Sequence, residues 1–386
     1  MKKLLLAVGL AASFGFAQAQ SSVTVYGILD AGFVGSSYKG TGTSATTNQT
    51  ANSFGSGAEE PSRLGFKGTE DLGGGTSAFF TVEMGLTPES TTISTLNNRQ
   101  SFVGVKKNGI GEAAFGLQYT PLGNVIAATD PGQLNAIVGS IINPGTPQTF
   151  GTPGLQPYEA ATSAGAAADA YTLRVANSLT LKSDDIKGFK FNAMAAANST
   201  NTSQSNSTTG GQNNTTGYGL SASYSGIAKT LLVAGYQTFK NTQLGTLSSP
   251  APALFLNNGT AGVNVQDAQT YLGGTYDFGI VKAYAGYVNR KITDQISSAN
   301  TASRSGQQIG VRGYFTPAIE GFASYGTGRL QNFGVGLPTY NFTGYQVGTN
   351  YYLSKRTNLY AILGATQTSG QDTANTNYAL GVRHTF

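Results

Sequence analysis

Short stretches in which apolar and polar residues alternate recur along most of the chain. In Arg63-Leu64-Gly65-Phe66-Lys67, Leu64 and Phe66 share one face of an extended segment, Arg63 and Lys67 the other. Over residues 78–86, Ala78, Phe80, Val82, Met84 and Leu86 oppose Thr81 and Glu83. Over 171–182, Leu173, Val175, Leu179 and Leu181 oppose Arg174, Ser178, Thr180 and Lys182. Ile309, Val311 and Phe315 oppose Gln308, Arg312 and Tyr314, and Leu272, Tyr276 and Phe278 repeat the spacing. The chain ends with Tyr378, Leu380, Val382, His384 and Phe386 against Arg383 and Thr385. A period of two residues predicts strands whose two faces meet different surroundings. Residues 99–107 and 229–239 are less decisive, because both faces read almost equally apolar.

The connections between these segments alternate in length. Short turns stand at 71–74, 107–109, 277–280 and 354–356, and long polar stretches at 35–60, 121–170, 199–216, 241–267 and 291–304. Segments of about 10 residues suit a tilted strand crossing a bilayer. Short turns on one rim and long loops on the other fit an antiparallel up-and-down transmembrane β-barrel of roughly 16 strands, all-β throughout. Soluble β-sandwiches and propellers also alternate. Against them, aromatics stand near strand ends on the apolar face (Tyr276, Phe278, Tyr351, Tyr360, Phe386), as interfacial girdles require. The opposite face carries charges, which a dry core forbids.

Composition sharpens this picture. Charged residues are 11% of the chain, against a usual quarter, with Gly 53 and Tyr 20 both abundant. Lys2 and Lys3 precede a short apolar run ending in Ala17-Gln18-Ala19, so residues 1–19 read as a secretory signal peptide and 20–386 as one barrel domain. With Cys 0 and His 1, disulfides, thiol catalysis and the common zinc sites are excluded. Without Lys2 and Lys3 the balance is 21 basic against 18 acidic residues, scattered along the chain, which does not suggest nucleic acid.

Several motifs together resemble the trimeric Gram-negative general porins, in the branch common in β-proteobacteria. They are Ser22-Val23-Thr24-Val25-Tyr26-Gly27 with Asp30-Ala31-Gly32, residues 62–73 (SRLGFKGTEDLG), residues 98–104 (NRQSFVG), residues 174–178 (RVANS) and residues 381–386 (GVRHTF). The resemblance implies a homotrimer of barrels in outer-membrane lipid and lipopolysaccharide, each passing small hydrophilic solutes and ions without a cofactor. It implies a third loop, 121–170, folded into the lumen, with wall arginines Arg63, Arg99 and Arg174 facing a loop acid at Asp130. Enteric members carry a second loop acid a few residues later, where this chain has Leu134. It also implies that Phe386 is the signal read by the outer-membrane assembly machinery.

The residues themselves place Arg63 and Arg174 on polar strand faces. Arg99 rests on the resemblance. Lys67, Lys182, Arg312 and Arg383 extend the lumen-facing set, and Glu83 offsets part of it. Several bases against one firmly placed acid predict a mild anion preference. Three other readings stay open. A substrate-specific channel would use lumen tyrosines such as Tyr284, Tyr314 and Tyr352. An adhesin would rely on its loops. A barrel hydrolase would need His384 beside a serine nucleophile, and His384 lies on the apolar face with Phe386.

Overall fold

In the computed structural model the described residues are 22–41, 46–89, 97–142, 174–202, 211–245, 263–295, 298–299, 301–334, 339–369 and 373–386. The expected leader, residues 1–19, lies outside them. Among the described residues, seventeen strands form one antiparallel sheet that closes on itself. In chain order they are β1 Ser22–Thr41, β2 Thr46–Ser56, β3 Arg63–Gly73, β4 Thr76–Gly85, β5 Asn97–Lys107, β6 Gly111–Tyr119, β7 Arg174–Ser183, β8 Phe189–Thr202 and β9 Gly211–Tyr224. The second half comprises β10 Thr230–Gly245, β11 Val263–Asp277, β12 Val281–Asp294, β13 Thr301–Thr316, β14 Ile319–Gly334, β15 Thr339–Tyr352, β16 Thr357–Thr368 and β17 Thr373–Thr385.

Two of these strands share one position in the wall. The outer part of β1 pairs with β2 (Ala31 with Ser56), and its inner part pairs with β3 (Ile28 with Arg63). β2 and β3 therefore lie end to end, interrupted by residues 57–62, and the wall counts 16 strands. Closure runs through β1 and β17, from Ile28 with Thr385 to Lys39 with Ala374. Phe386 completes it, exchanging backbone hydrogen bonds with Gly27 at 3.1 Å in both directions. Its ring lies against the Cα of Gly27, where any side chain would collide with it.

Outward-facing apolar residues such as Val103, Phe115, Leu181, Leu272, Ile309 and Leu380 are well exposed, and their inward neighbours are polar or packed against a loop. Exposure of this kind is expected where lipid replaces water. Tyr276, Phe278, Tyr351 and Phe386 lie on that surface. Tyr360 does not. It points inward, nearly fully buried, with its hydroxyl donating to Asp30 at 2.5 Å. Alternation also breaks on β7. Leu179 and Leu181 face out, but Val175 turns inward onto Met194, Ala196 and Phe239. A bulge explains it: Gly116 faces Ser178 but Gln118 faces Val175, and Asn177 takes the left-handed conformation at φ 52°.

Where they are described, the long polar stretches other than 121–142 are largely strand. β1 and β8 to β13 run well past the about 10 residues a membrane requires, continuing through Thr-, Asn- and Gln-rich sequence. Beyond the lipid a ladder needs no apolar face, so polar sequence extends it. Regular pairing hides there from a search for alternation.

Candidate functional site

The interior is shaped by the segment after β6. Thr120 caps a helix, α1 Pro121–Thr129, its hydroxyl accepting from Gly123 N at 2.9 Å, with proline in the first turn. Leu122 and Ile126 are fully buried against the inner wall, which stabilises each by roughly 1.5–3 kcal/mol over exposure. The wall makes room with glycines. A Cβ at Gly235 would stand 3.1 Å from Val125 and 3.2 Å from Leu122. Further on, Ile141 lies across Gly306, Gly326 and Gly344, where a Cβ would come within 2.6 to 2.7 Å of it. Many of the chain's abundant glycines thus form a bed for residues 121–142.

Side chains from the same wall hold this segment by its backbone. Arg304 donates to Ile141 O (2.8 Å) and Arg312 to Pro131 O (2.9 Å). Gln308 accepts from Ile141 N (2.6 Å) and donates to Asp130 (3.2 Å). Gln346 donates to Ile137 O (2.5 Å) and exchanges amide bonds with Asn135 at 3.1 and 3.2 Å. Ala136 N reaches Ala58 O (3.0 Å), tying the loop to the break in the second wall strand. The expectation of an inward loop at 121–170 is therefore described over 121–142. Residues 143–173, with Glu159 and Asp169, lie outside the described residues.

The interruption at 57–62 is held by Asp30. Its carboxylate accepts from the backbone N of Glu59 (2.9 Å) and Glu60 (2.7 Å) as well as from Tyr360. Glu60 then meets Arg63 (2.7 Å) and Arg383 (2.8 Å), and Glu59 meets Arg383 (3.5 Å) and Asn358 (2.9 Å). Alternation did not single out Glu59 or Glu60, because they lie in a break between strands.

A second cluster surrounds Glu83. Arg99 contacts it at 2.8 Å and donates to the Tyr119 hydroxyl (3.1 Å). Tyr26 donates to it from the other side (3.1 Å). Arg174 donates to Arg99 O (3.2 Å), and its guanidinium lies 5.7 Å from the Tyr119 ring centre. Arg99 reaches this place because of a second bulge. Glu83 pairs with Gln100 but Met84 with Asn98, so Arg99 stands out of the ladder.

Asp130, expected to face these arginines, is 2% exposed. It accepts from Leu134 N (2.8 Å), Gln308 and Ser140, and so closes the turn after α1 instead of presenting a charge to water. Burial pushes its carboxyl above the ordinary range, with the N–H groups of Leu134 and Gly132 pulling the other way. Arg312 lines the inner wall but is forked onto Glu320 at 2.8 and 2.6 Å. Lys182 pairs with Glu112 at 3.0 Å, far from Arg174 on the strand. Among the tyrosines, Tyr314 and Tyr352 lie 6.1 Å apart beside Glu320, and Tyr284 stands under Lys282. His384 hydrogen-bonds the Thr357 hydroxyl (2.9 Å) on the exposed outer side.

A closed barrel of 16 wall strands, a loop bedded on its inner wall and a cluster of bases within are now in view. The family model for Gram-negative porins matches residues 5–371. The chain belongs to the Gram-negative porin family. As such it is an outer-membrane barrel through which solutes diffuse. An outer membrane porin protein of Bordetella pertussis is 28% identical over the full length of both chains. Outer membrane porin protein 32 of Delftia acidovorans is 36% identical over 34% of this chain and 35% of its own. Among solved structures, the anion-selective porin from Comamonas acidovorans superposes with TM-score 0.69 at 19% identity, over 95% of this chain and 100% of that one. The trimer form of Vibrio cholerae OmpT does so at 0.60 and 14%, over 95% and 99%.

Proposed function

We propose that this porin passes small hydrophilic solutes and ions with a mild preference for anions, as a homotrimer of separate pores. The observation that carries the preference is the basic cluster itself. Arg99 and Arg174 touch around Glu83, Arg63 lies close by, and Asp130 is withdrawn into the loop's own turn. Arg63, Arg99 and Arg174 are the bases of the constriction, with Lys67, Lys182 and Arg383 extending the surface. A low-dielectric wall focuses such a field and enriches the counter-ion. The fold shared with a porin named as anion-selective agrees with this reading.

The trimer follows the family, as does recognition of Phe386 by the assembly machinery. Residues 1–19 are the leader, removed before assembly. The deciding measurement is the reversal potential in a KCl gradient across planar bilayers. Anion preference is expected, and clear cation selectivity would refute it. Stepwise conductance in triplets supports three pores; a barrel without conductance would return the adhesin reading.

A further inference from the structure

The bases of the inner wall are held in two different ways. Arg63 and Arg383 share Glu59 and Glu60, Arg99 holds Glu83, and Arg312 holds Glu320, all between 2.6 and 3.5 Å. Each group is charge-balanced. A carboxylate at that distance fixes a cation and also cancels most of its field a few ångströms away. Lys67, Arg174 and Lys282 differ. None of them has a carboxylate at ion-pair distance among the described residues, and each lies over a tyrosine ring. Lys67 Nζ is 5.4 Å from the Tyr26 centre, Arg174 Cζ 5.7 Å from Tyr119, and Lys282 Nζ 5.2 Å from Tyr284. A ring face attracts a cation through its quadrupole but brings no countercharge. The side chain is held and its charge stays available.

Tyr26 and Tyr119 are themselves held by the balanced pair. Tyr26 lies across Gly65, where any side chain would collide with its ring, and its hydroxyl bonds Glu83. The Tyr119 hydroxyl accepts from Arg99. One ion pair thus orients two rings, and each ring carries an unneutralised cation. Lys282 faces the buried Arg312 on one side and Asp277 on the other, so it belongs to the same inner surface, while the Asp277 carboxylate accepts from Gly279 N (2.7 Å) in its own turn.

We propose that Lys67, Arg174 and Lys282 are the specificity-determining cations of the pore, steering small anions such as chloride or short carboxylates, and that Tyr26, Tyr119 and Tyr284 are positioning residues. Arg63, Arg99 and Arg383 remain part of the basic surface, but Glu59, Glu60 and Glu83 beside them cancel most of their field. The inference rests on the anion preference proposed above.

The test measures chloride-to-potassium permeability ratios from reversal potentials. It compares Lys67→Met, Arg174→Met and Lys282→Met with a charge-balanced double variant, Asp267→Asn with Arg290→Met, which removes a buried ion pair at 2.6 Å elsewhere on the wall. Lys291→Met, at the outer end of β12, supplies a matched loss of one charge. Each of the three Met variants is expected to lower the ratio about twofold or more, as loss of one pore charge does in a focused field. The balanced double and Lys291→Met should shift it less than any of them. Tyr26→Leu keeps every charge and should also lower the ratio, whereas Tyr26→Phe keeps the ring and should not. A balanced double that shifts the ratio more than the three Met variants overturns the division. A cation-selective wild type removes the anion preference instead. The division is then read from the same variants, the three Met variants raising potassium preference more than the double.

Discussion

Replacing Gln346 by Leu tests whether the inward loop is held by discrete side-chain anchors. The change keeps volume and removes every polar contact of that side chain. Gln346 loses its bonds with Asn135 (3.1 and 3.2 Å), and the buried Ile137 carbonyl loses its donor at 2.5 Å. Asn135 keeps bonds to Gly132 O and Ile137 N, so the stranded group is mainly that carbonyl. A buried unsatisfied acceptor costs about 1–3 kcal/mol, and the lost amide pair adds about 0.5–1.5 kcal/mol. A total of roughly 2–4 kcal/mol raises the released fraction of the loop by about 30- to 1000-fold, if release is a two-state opening. Proteinase K cleavage within 121–170 of the folded protein in lipid vesicles reads that fraction directly when closing is fast. Gln307→Leu, at an exposed position whose amide bonds Thr327 at 3.5 Å, makes the same chemical change away from the loop and is expected to leave cleavage unaltered. Cleavage of Gln346→Leu at the wild-type rate would refute the anchoring argument.

Other variants probe the remaining contacts. Arg312→Met leaves Glu320 buried without its cation, and removing one member of a buried pair costs about 3–5 kcal/mol; the heat-modifiable gel transition should fall, and Arg312→Lys should recover part of it. Tyr360→Phe removes one of the donors to Asp30, a loss of about 1–3 kcal/mol; residues 57–62 should become more open to proteolysis while the barrel stays folded. Phe386→Ala removes the ring lying on Gly27, and the yield of folded protein in the outer membrane should drop.

Where alternation is regular, the strands were legible. Leu179 and Leu181 against Ser178 and Thr180, or Phe80 and Val82 against Glu83, read directly as outside and inside. Alternation fails where the backbone departs from the two-residue period. A bulge turns Val175 inward, another brings Arg99, which only the resemblance places on the wall, to Glu83, and neither leaves a mark on composition. Tyr360 reads as a girdle residue because it is aromatic near a strand end; what decides its direction is Asp30, some 330 positions away in the chain. Asp130 was placed in the pore by family resemblance, but its surroundings depend on Gln308 and on a turn whose geometry no motif announces. The bed for the loop was present in the sequence as glycines. Their spacing carries no signal until the strands that bear them are side by side.

The leaning of the described loop on β9 to β16 has a consequence for how such a channel changes over evolution. The glycines, Arg304, Gln308, Arg312 and Gln346 that seat residues 121–142 belong to one arc of the barrel, whereas Lys67, Arg99, Arg174 and Glu83 belong to the other. The bases of β3 to β7 and the seat of the loop are therefore encoded in separate stretches of sequence, Lys282 on β12 being the cation that stands in the loop's arc. Insertions in the loop or larger residues in its bed alter what fits, and leave the sign of what is favoured untouched. A lineage can reshape the bed of the loop without touching the bases of β3 to β7.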